Sequence, residues 1–196
     1  MLALSRFQLR FVLGAACLLA APLSALGQTP SPIPAPAVAR DGRHDFDFNI
    51  GAWRTHIHRR VHPLAGADEM IDLNGTVTNR AIWGGRASME EMEADGPNGH
   101  WEGMSLFLYN PAAHQWSQTF FNGKAPEPTA TGLVGEFHDG RGELFSTDTL
   151  NGRAILVRGV WSNITPDAHR YQESYSGDGG RTWEVEFTAD VTRAQP

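Results

Sequence analysis

Between Asp45 and Thr192 the chain is cut into short segments by clusters of turn-forming residues. They fall at Pro63 to Gly66, Gly84-Gly85, Asp95 to Gly99, Asn110 to Ala113, Asn122 to Pro128, Asp139 to Gly142, Asn151-Gly152, Thr165 to Ala168 and Gly177 to Gly180. Spacing this short leaves no room for a helix-length 3.6-residue pattern and predicts about ten strands joined as antiparallel hairpins. The last segment alternates Trp183, Val185, Phe187, Ala189 and Val191 with Glu184, Glu186, Thr188, Asp190 and Thr192, so one face is expected to be buried and the other wet. Ile155, Val157 and Trp161 alternate with Leu156, Arg158 and Val160, while Met104, Leu106 and Leu108 share one side of another strand. Strands apolar on parts of both faces suit a sheet closed on itself, because closure removes exposed edges. The expected architecture is all-β, an antiparallel up-and-down barrel of about ten strands, with a sandwich as the alternative. Composition agrees: 21 Gly, 12 Pro, 6 Trp and 10 Phe supply turns and aromatics for strands.

The first 27 residues read as a targeting segment. Arg6 and Arg10 precede the apolar run Phe11 to Ala21, and small residues follow at Ala25 to Gly27, the pattern of a Sec-type signal peptide. Pro22 breaks the run short of the roughly 20 apolar residues a membrane span needs. The expected location is therefore periplasmic or secreted, with no membrane insertion after cleavage. Residues 28–42, with Pro30, Pro32, Pro34 and Pro36, read as a disordered linker, leaving 43–194 as the folded domain. The single cysteine, Cys17, leaves with the signal, so no disulfide, thiolate metal site or cysteine nucleophile is expected. Cleavage leaves 14 basic against 22 acidic residues, a net charge of −8, and one lysine, Lys124. An acidic surface without clustered Lys or Arg argues against nucleic-acid and anionic-lipid partners. A homo-oligomer is compatible with the sequence, which does not specify the oligomeric state.

The run H-D-F-D-F-N-I-G-A-W-R at His44 to Arg54 resembles the opening of an uncharacterised bacterial family of lipocalin-like proteins with an F-D-F-x-x-G-x-W start. The resemblance continues through Gly75 to Arg86, Y-N-P-A-A-H-Q-W at Tyr109 to Trp116, W-S-N-I-T-P-D at Trp161 to Asp167 and S-G-D-G-G-R-T-W at Ser176 to Trp183. It implies a calycin-type barrel and no particular activity. In lipocalin-like proteins the Trp of the first-strand G-x-W seals one end of the barrel and an Arg near the last strand packs on its ring. Trp53 and Arg193 match those positions. The residues after Trp53 depart from the G-x-W-x-G-x-G of heme-binding relatives, so no cofactor is expected. Ser176 to Trp183 also fits an Asp-box turn, in which the Asp accepts backbone N–H bonds; a single copy reads as a structural staple.

No G-x-S-x-G, H-E-x-x-H, Walker or G-x-G-x-x-G pattern occurs in the domain. His56 and His58 form an H-x-H pair, but they oppose Trp53 on the strand and are expected to face solvent, so no metal is assigned. The Arg59, Arg60 and His62 run is expected to be a solvated face. A barrel interior raises a buried carboxyl toward neutrality, which makes Glu91 and Glu173 candidate acid/base groups, with Tyr171 as companion. Met104, Leu106, Trp116, Gln118, Phe120, Trp161, Tyr171 and Tyr175 are expected to line a cavity for a small apolar or aromatic molecule. Three readings follow: an exported ligand-binding barrel, a pocket enzyme such as an isomerase, cyclase or lyase, and an envelope structural or interaction module.

Overall fold

The computed structural model describes residues 41–125 and 132–195. The expected signal segment 1–27 and nearly all of the expected linker lie outside them. The described chain forms ten strands: β1 (Gly51–Arg60), β2 (Met70–Ile82), β3 (Ala87–Gly96), β4 (Gly99–Asn110), β5 (Gln115–Asn122), β6 (Leu133–His138), β7 (Arg141–Leu150), β8 (Arg153–Ser162), β9 (Ala168–Ser176) and β10 (Glu184–Arg193). Each pairs antiparallel with its sequence neighbours, and β1 pairs with β10 from Trp53↔Arg193 to Arg59↔Phe187, closing the barrel. Short hairpins make this topology accessible. Asp139-Gly140 and Asn151-Gly152 both carry positive φ at the two central positions, as type I′ turns require. Among the described residues β5 and β6 meet at three residue pairs, from Trp116↔Gly135 to Gln118↔Leu133.

One end of the barrel is filled. The segment before β1 crosses it, with a 3₁₀ turn at Asp47–Asn49, and drops Phe46 among Phe107, Trp116, Phe137 and Trp161 at ring-centroid distances of 4.7 to 5.4 Å. Fully burying such a ring contributes about 1.5–3 kcal/mol. Gly42 already belongs to the fold, because its carbonyl accepts from Trp116 Nε1 at 2.8 Å and its N–H donates to the Tyr109 hydroxyl at 3.1 Å. Gly42, the last residue of the expected linker, thus bonds to the barrel. Trp53 is wholly buried, donates from Nε1 to the Asn49 carbonyl at 2.9 Å, and carries the Arg193 guanidinium 3.5 Å from its ring centroid. Arg193 also donates to the carbonyls of Ile50 and Pro166. A Cβ at Gly51 would collide with the Arg193 guanidinium, and Gly51 has φ +126°, so the G of G-x-W is what admits the arginine.

The Ser176–Trp183 hairpin is the expected staple: Asp178 Oδ1 accepts from the N–H groups of Arg181 and Thr182 at 3.0 Å each, and Oδ2 accepts from the Thr182 hydroxyl at 2.7 Å. Trp183, however, does not belong to the interior set. It packs with its ring 4.5 Å from the Arg158 guanidinium, on the side of β8 opposite Val157 and Trp161. Alternation also fails further along β10. A register shift between Val185 and Phe187 turns both Glu186 and Phe187 toward the interior, whereas strict alternation would leave Glu186 in water.

Candidate functional site

Above the aromatic floor the barrel holds a cavity of about 200 Å³. The floor is Trp161, His169 and Val191, and the middle carries Glu90, Met92, Ser105, Gln118, Val157, Tyr171 and Glu173. Arg59, Trp101, Phe120, Ser146, Asp148, Tyr175, Glu186 and Phe187 line the end away from the floor. Trp101 and Phe120 stack there with centroids 5.9 Å apart.

Tyr171 and Glu173 lie two residues apart on β9 and so share its inner face. The Tyr171 hydroxyl donates to Glu173 Oε2 at 2.8 Å. Burial raises the Glu173 pKa, against hydrogen bonds from Tyr171 and Tyr175 that lower it. Burial likewise raises both tyrosines, helped by the charge of Glu173. Glu186 is pushed up to about 7, first by burial and then by the negative charge of Glu173; Arg59, with Nε 3.2 Å from Glu186 Oε1, pulls the other way. Two carboxylates thus share one wall of the cavity, and the proton affinity of one is raised by the other. In the middle of the cavity, Glu90 accepts from Asn49 Nδ2 at 2.7 Å and is also raised by burial. His169 is held down at about 4 by burial and then by the Arg193 charge, so it is neutral at neutral pH.

Among the described residues, four carboxyl groups (Glu90, Asp148, Glu173, Glu186) therefore line the cavity against a single guanidinium, Arg59. Among the described residues no hydrogen-bond partner meets Gln118 Oε1, Trp101 Nε1, Trp161 Nε1 or His169 Nδ1, all on this lining. Buried polar atoms of this kind normally find a partner, so the wall is built to offer both donors and acceptors.

Of the residues expected here, Gln118, Phe120, Trp161, Tyr171, Glu173 and Tyr175 line the cavity. Trp116 faces inward but belongs to the floor packing under Phe46. Three expectations are corrected. Glu91 is exposed, and its neighbour Glu90 is the inward carboxylate of β3. Met104 and Leu106 stand on the outer face of β4, opposite the cross-strand partners Glu91 and Met89, while Ser105 and Phe107 point in. Both faces of β4 are rich in apolar side chains, so hydrophobicity alone assigns its inner face wrongly. Arg59 belongs to the cavity, and Arg60 is largely covered, donating to the carbonyls of Val185 and Ala67. Sequence reasoning passed over Glu90, Glu186, Arg59 and His169. For Arg59 a signal existed, its shared parity with Trp53; for Glu186 the bulge left none.

A ten-stranded antiparallel up-and-down barrel, stoppered at one end and hollow at the other, is a lipocalin-like barrel by fold. The S-type phycobiliprotein lyase CPES from Guillardia theta is similar, with a TM-score of 0.54 over 81% of this chain and 95% of that chain at 12% sequence identity. A de novo designed fluorescence-activating β-barrel aligns with a TM-score of 0.42 and 12% identity over 79% of this chain and 99% of that one. No protein-family model and no curated protein matches the sequence.

Proposed function

We propose that this chain is exported through the signal at residues 1–27 to the periplasm or beyond, where its barrel binds a small apolar or aromatic molecule. Membership of the uncharacterised bacterial lipocalin-like family suggested by the five motifs is part of the same reading. The observation that carries it is the cavity itself: an aromatic wall of Trp101, Phe120, Trp161 and Phe187 interrupted by buried polar atoms that lack partners among the described residues. That is the make-up of a ligand pocket, apolar for affinity and sparsely polar for orientation. Its volume lies below the roughly 300–1,000 Å³ of sites for drug-sized ligands, which favours a compact molecule. The excess of carboxylates over Arg59 favours one with a hydrogen-bond-donating nitrogen. An envelope module, which would fill its interior, finds less support.

The test is mass spectrometry of small molecules carried through native purification, joined to tryptophan-fluorescence titration with benzylamine, benzyl alcohol and benzoate. A retained aromatic compound or saturable binding of benzylamine is expected. Empty protein that responds to none of the three probes would overturn the reading.

A second reading has its own observation. A buried carboxyl in hydrogen-bond contact with a tyrosine and facing open volume, as Glu173 and Tyr171 are, can move a proton to or from a bound carbonyl or phenolic compound. If the barrel is an isomerase, cyclase or lyase, Glu173→Gln removes turnover of the retained compound and leaves its binding intact. A purely binding barrel turns nothing over before or after the substitution.

A further inference from the structure

His56 and His58 stand on the outer face of β1, as their parity opposite Trp53 requires. β2 adds a third donor that no sequence spacing connects to them, because the register places Asp72 directly across from His58. Asp72 Oδ1 lies 2.6 Å from His58 Nδ1 and 3.4 Å from His56 Nε2. The two imidazoles meet edge to face with centroids 4.7 Å apart, and one ligand atom from each of the three residues falls within 4.8 Å of the others.

We propose that His56, His58 and Asp72 form a binding site for a divalent first-row transition-metal ion such as Zn²⁺. Zinc bonds to nitrogen and oxygen of about 2.0–2.1 Å set tetrahedral donors roughly 3.3–3.4 Å apart; the His56–Asp72 pair already has that spacing, while the His58–Asp72 pair is closer, as a hydrogen bond would hold it. A bound ion would replace the His58–Asp72 contact, and the half-exposed side chains are free of packing that would oppose the small shifts needed. The backbone beneath is fixed, since β1 is paired with β2 and β10 on both sides of His56 and His58. Two imidazoles and one carboxylate, each about half exposed, form a three-ligand set with the fourth position open to water. Nitrogen donors exclude the hard ions Ca²⁺ and Mg²⁺, which take oxygen ligands. Asp190, across from His56 on β10, adds a carboxylate to the same face, where Arg170 Nε approaches it at 3.5 Å, and Arg54 is the cation further along β1. Asn74, across from His56 on β2, is uncharged. The site lies outside the barrel wall and is independent of the cavity. A bound ion would clip β1 to β2 beside the β1–β10 closure.

The experiment is Zn²⁺ titration of the metal-stripped full chain against a chromogenic zinc indicator, with thermal unfolding with and without Zn²⁺. Wild type is expected to take up one equivalent and to gain thermal stability. His58→Ala and His56→Ala should each weaken binding at least about tenfold and abolish the gain. His100→Ala is the control, because His100 is an exposed single histidine beside Asp95 and Glu102. Equal unfolding midpoints in EDTA establish that the variants fold. Wild type binding no more tightly than the His56→Ala/His58→Ala double variant, or loss of the bound equivalent in His100→Ala, would overturn the site.

Discussion

The two ends of the barrel spend their aromatic residues differently. At the filled end Phe46, Phe107, Trp116 and Trp161 pack ring on ring and Trp53 meets His169; the Trp53 and Trp116 indole N–H groups are satisfied by backbone carbonyls, while that of Trp161, on the cavity floor, has no partner among the described residues. At the hollow end Trp101 and Phe120 stack on each other beside buried carboxyls, and the Trp101 N–H has no partner among the described residues. The same residue types thus make a core where a strap covers them and a ligand wall where open volume remains. What separates the cases is which residues the chain lays across the mouth.

That contrast is most easily broken by cutting a large ring from each end. Trp53→Ala should cost about 3–5 kcal/mol in urea unfolding, whereas Phe120→Ala should cost less than about 2 and act mainly on ligand retention. Equal losses would mean that the hollow end is core as well.

The cavity carboxyls and the floor histidine should also respond oppositely to pH. The folded protein keeps a proton on Glu186 up to about 7 that the unfolded chain releases near 4.5, so stability falls as pH rises through that interval. Glu90 and Glu173 act in the same direction. His169 is the reverse: held at about 4 when folded, it takes up a proton near 6.5 once unfolded, so stability falls as pH drops from about 6.5 through 4. Unfolding free energies measured across pH should show Glu186→Gln flattening the upper limb by about 1–3 kcal/mol and His169→Gln flattening the lower one. A single substitution that flattens both would refute the division.

The smallest effect sharpens the filled end alone. Arg193→Lys retains charge but loses the flat guanidinium over Trp53 and its paired donation to Pro166, and should lower stability by about 0.5–2 kcal/mol. No change would place the sealing in the Trp53 ring by itself.

Strand number and up-and-down order were readable in the sequence because turn chemistry is local. Asp139-Gly140 and Asn151-Gly152 specify their own hairpins wherever the strands end up. The inner side of a strand was readable only where its two faces differ. β5 and β9 gave Gln118, Phe120, Tyr171, Glu173 and Tyr175 correctly. On β4 the inward positions include Gly103 and Ser105, small because bulky neighbours such as Phe120 fill the space, so the larger aliphatics outside looked like the core. On β3 adjacent glutamates made parity undecidable without a tertiary anchor, which Asn49 supplies to Glu90. Glu186 depended on a bulge, and the His56–His58–Asp72 cluster on inter-strand register. Both are properties of pairing rather than of any single segment.

The three-pair junction of β5 with β6 has a consequence for how occupancy and folding are tied. Among the described residues that ladder is short, and Phe120 and Asn122 on β5 line the same cavity as Ser146 and Asp148 on β7, beyond the seam. A guest touching both sides would act as an extra rung. Filling the barrel and prolonging its life as a closed ring would then be one event.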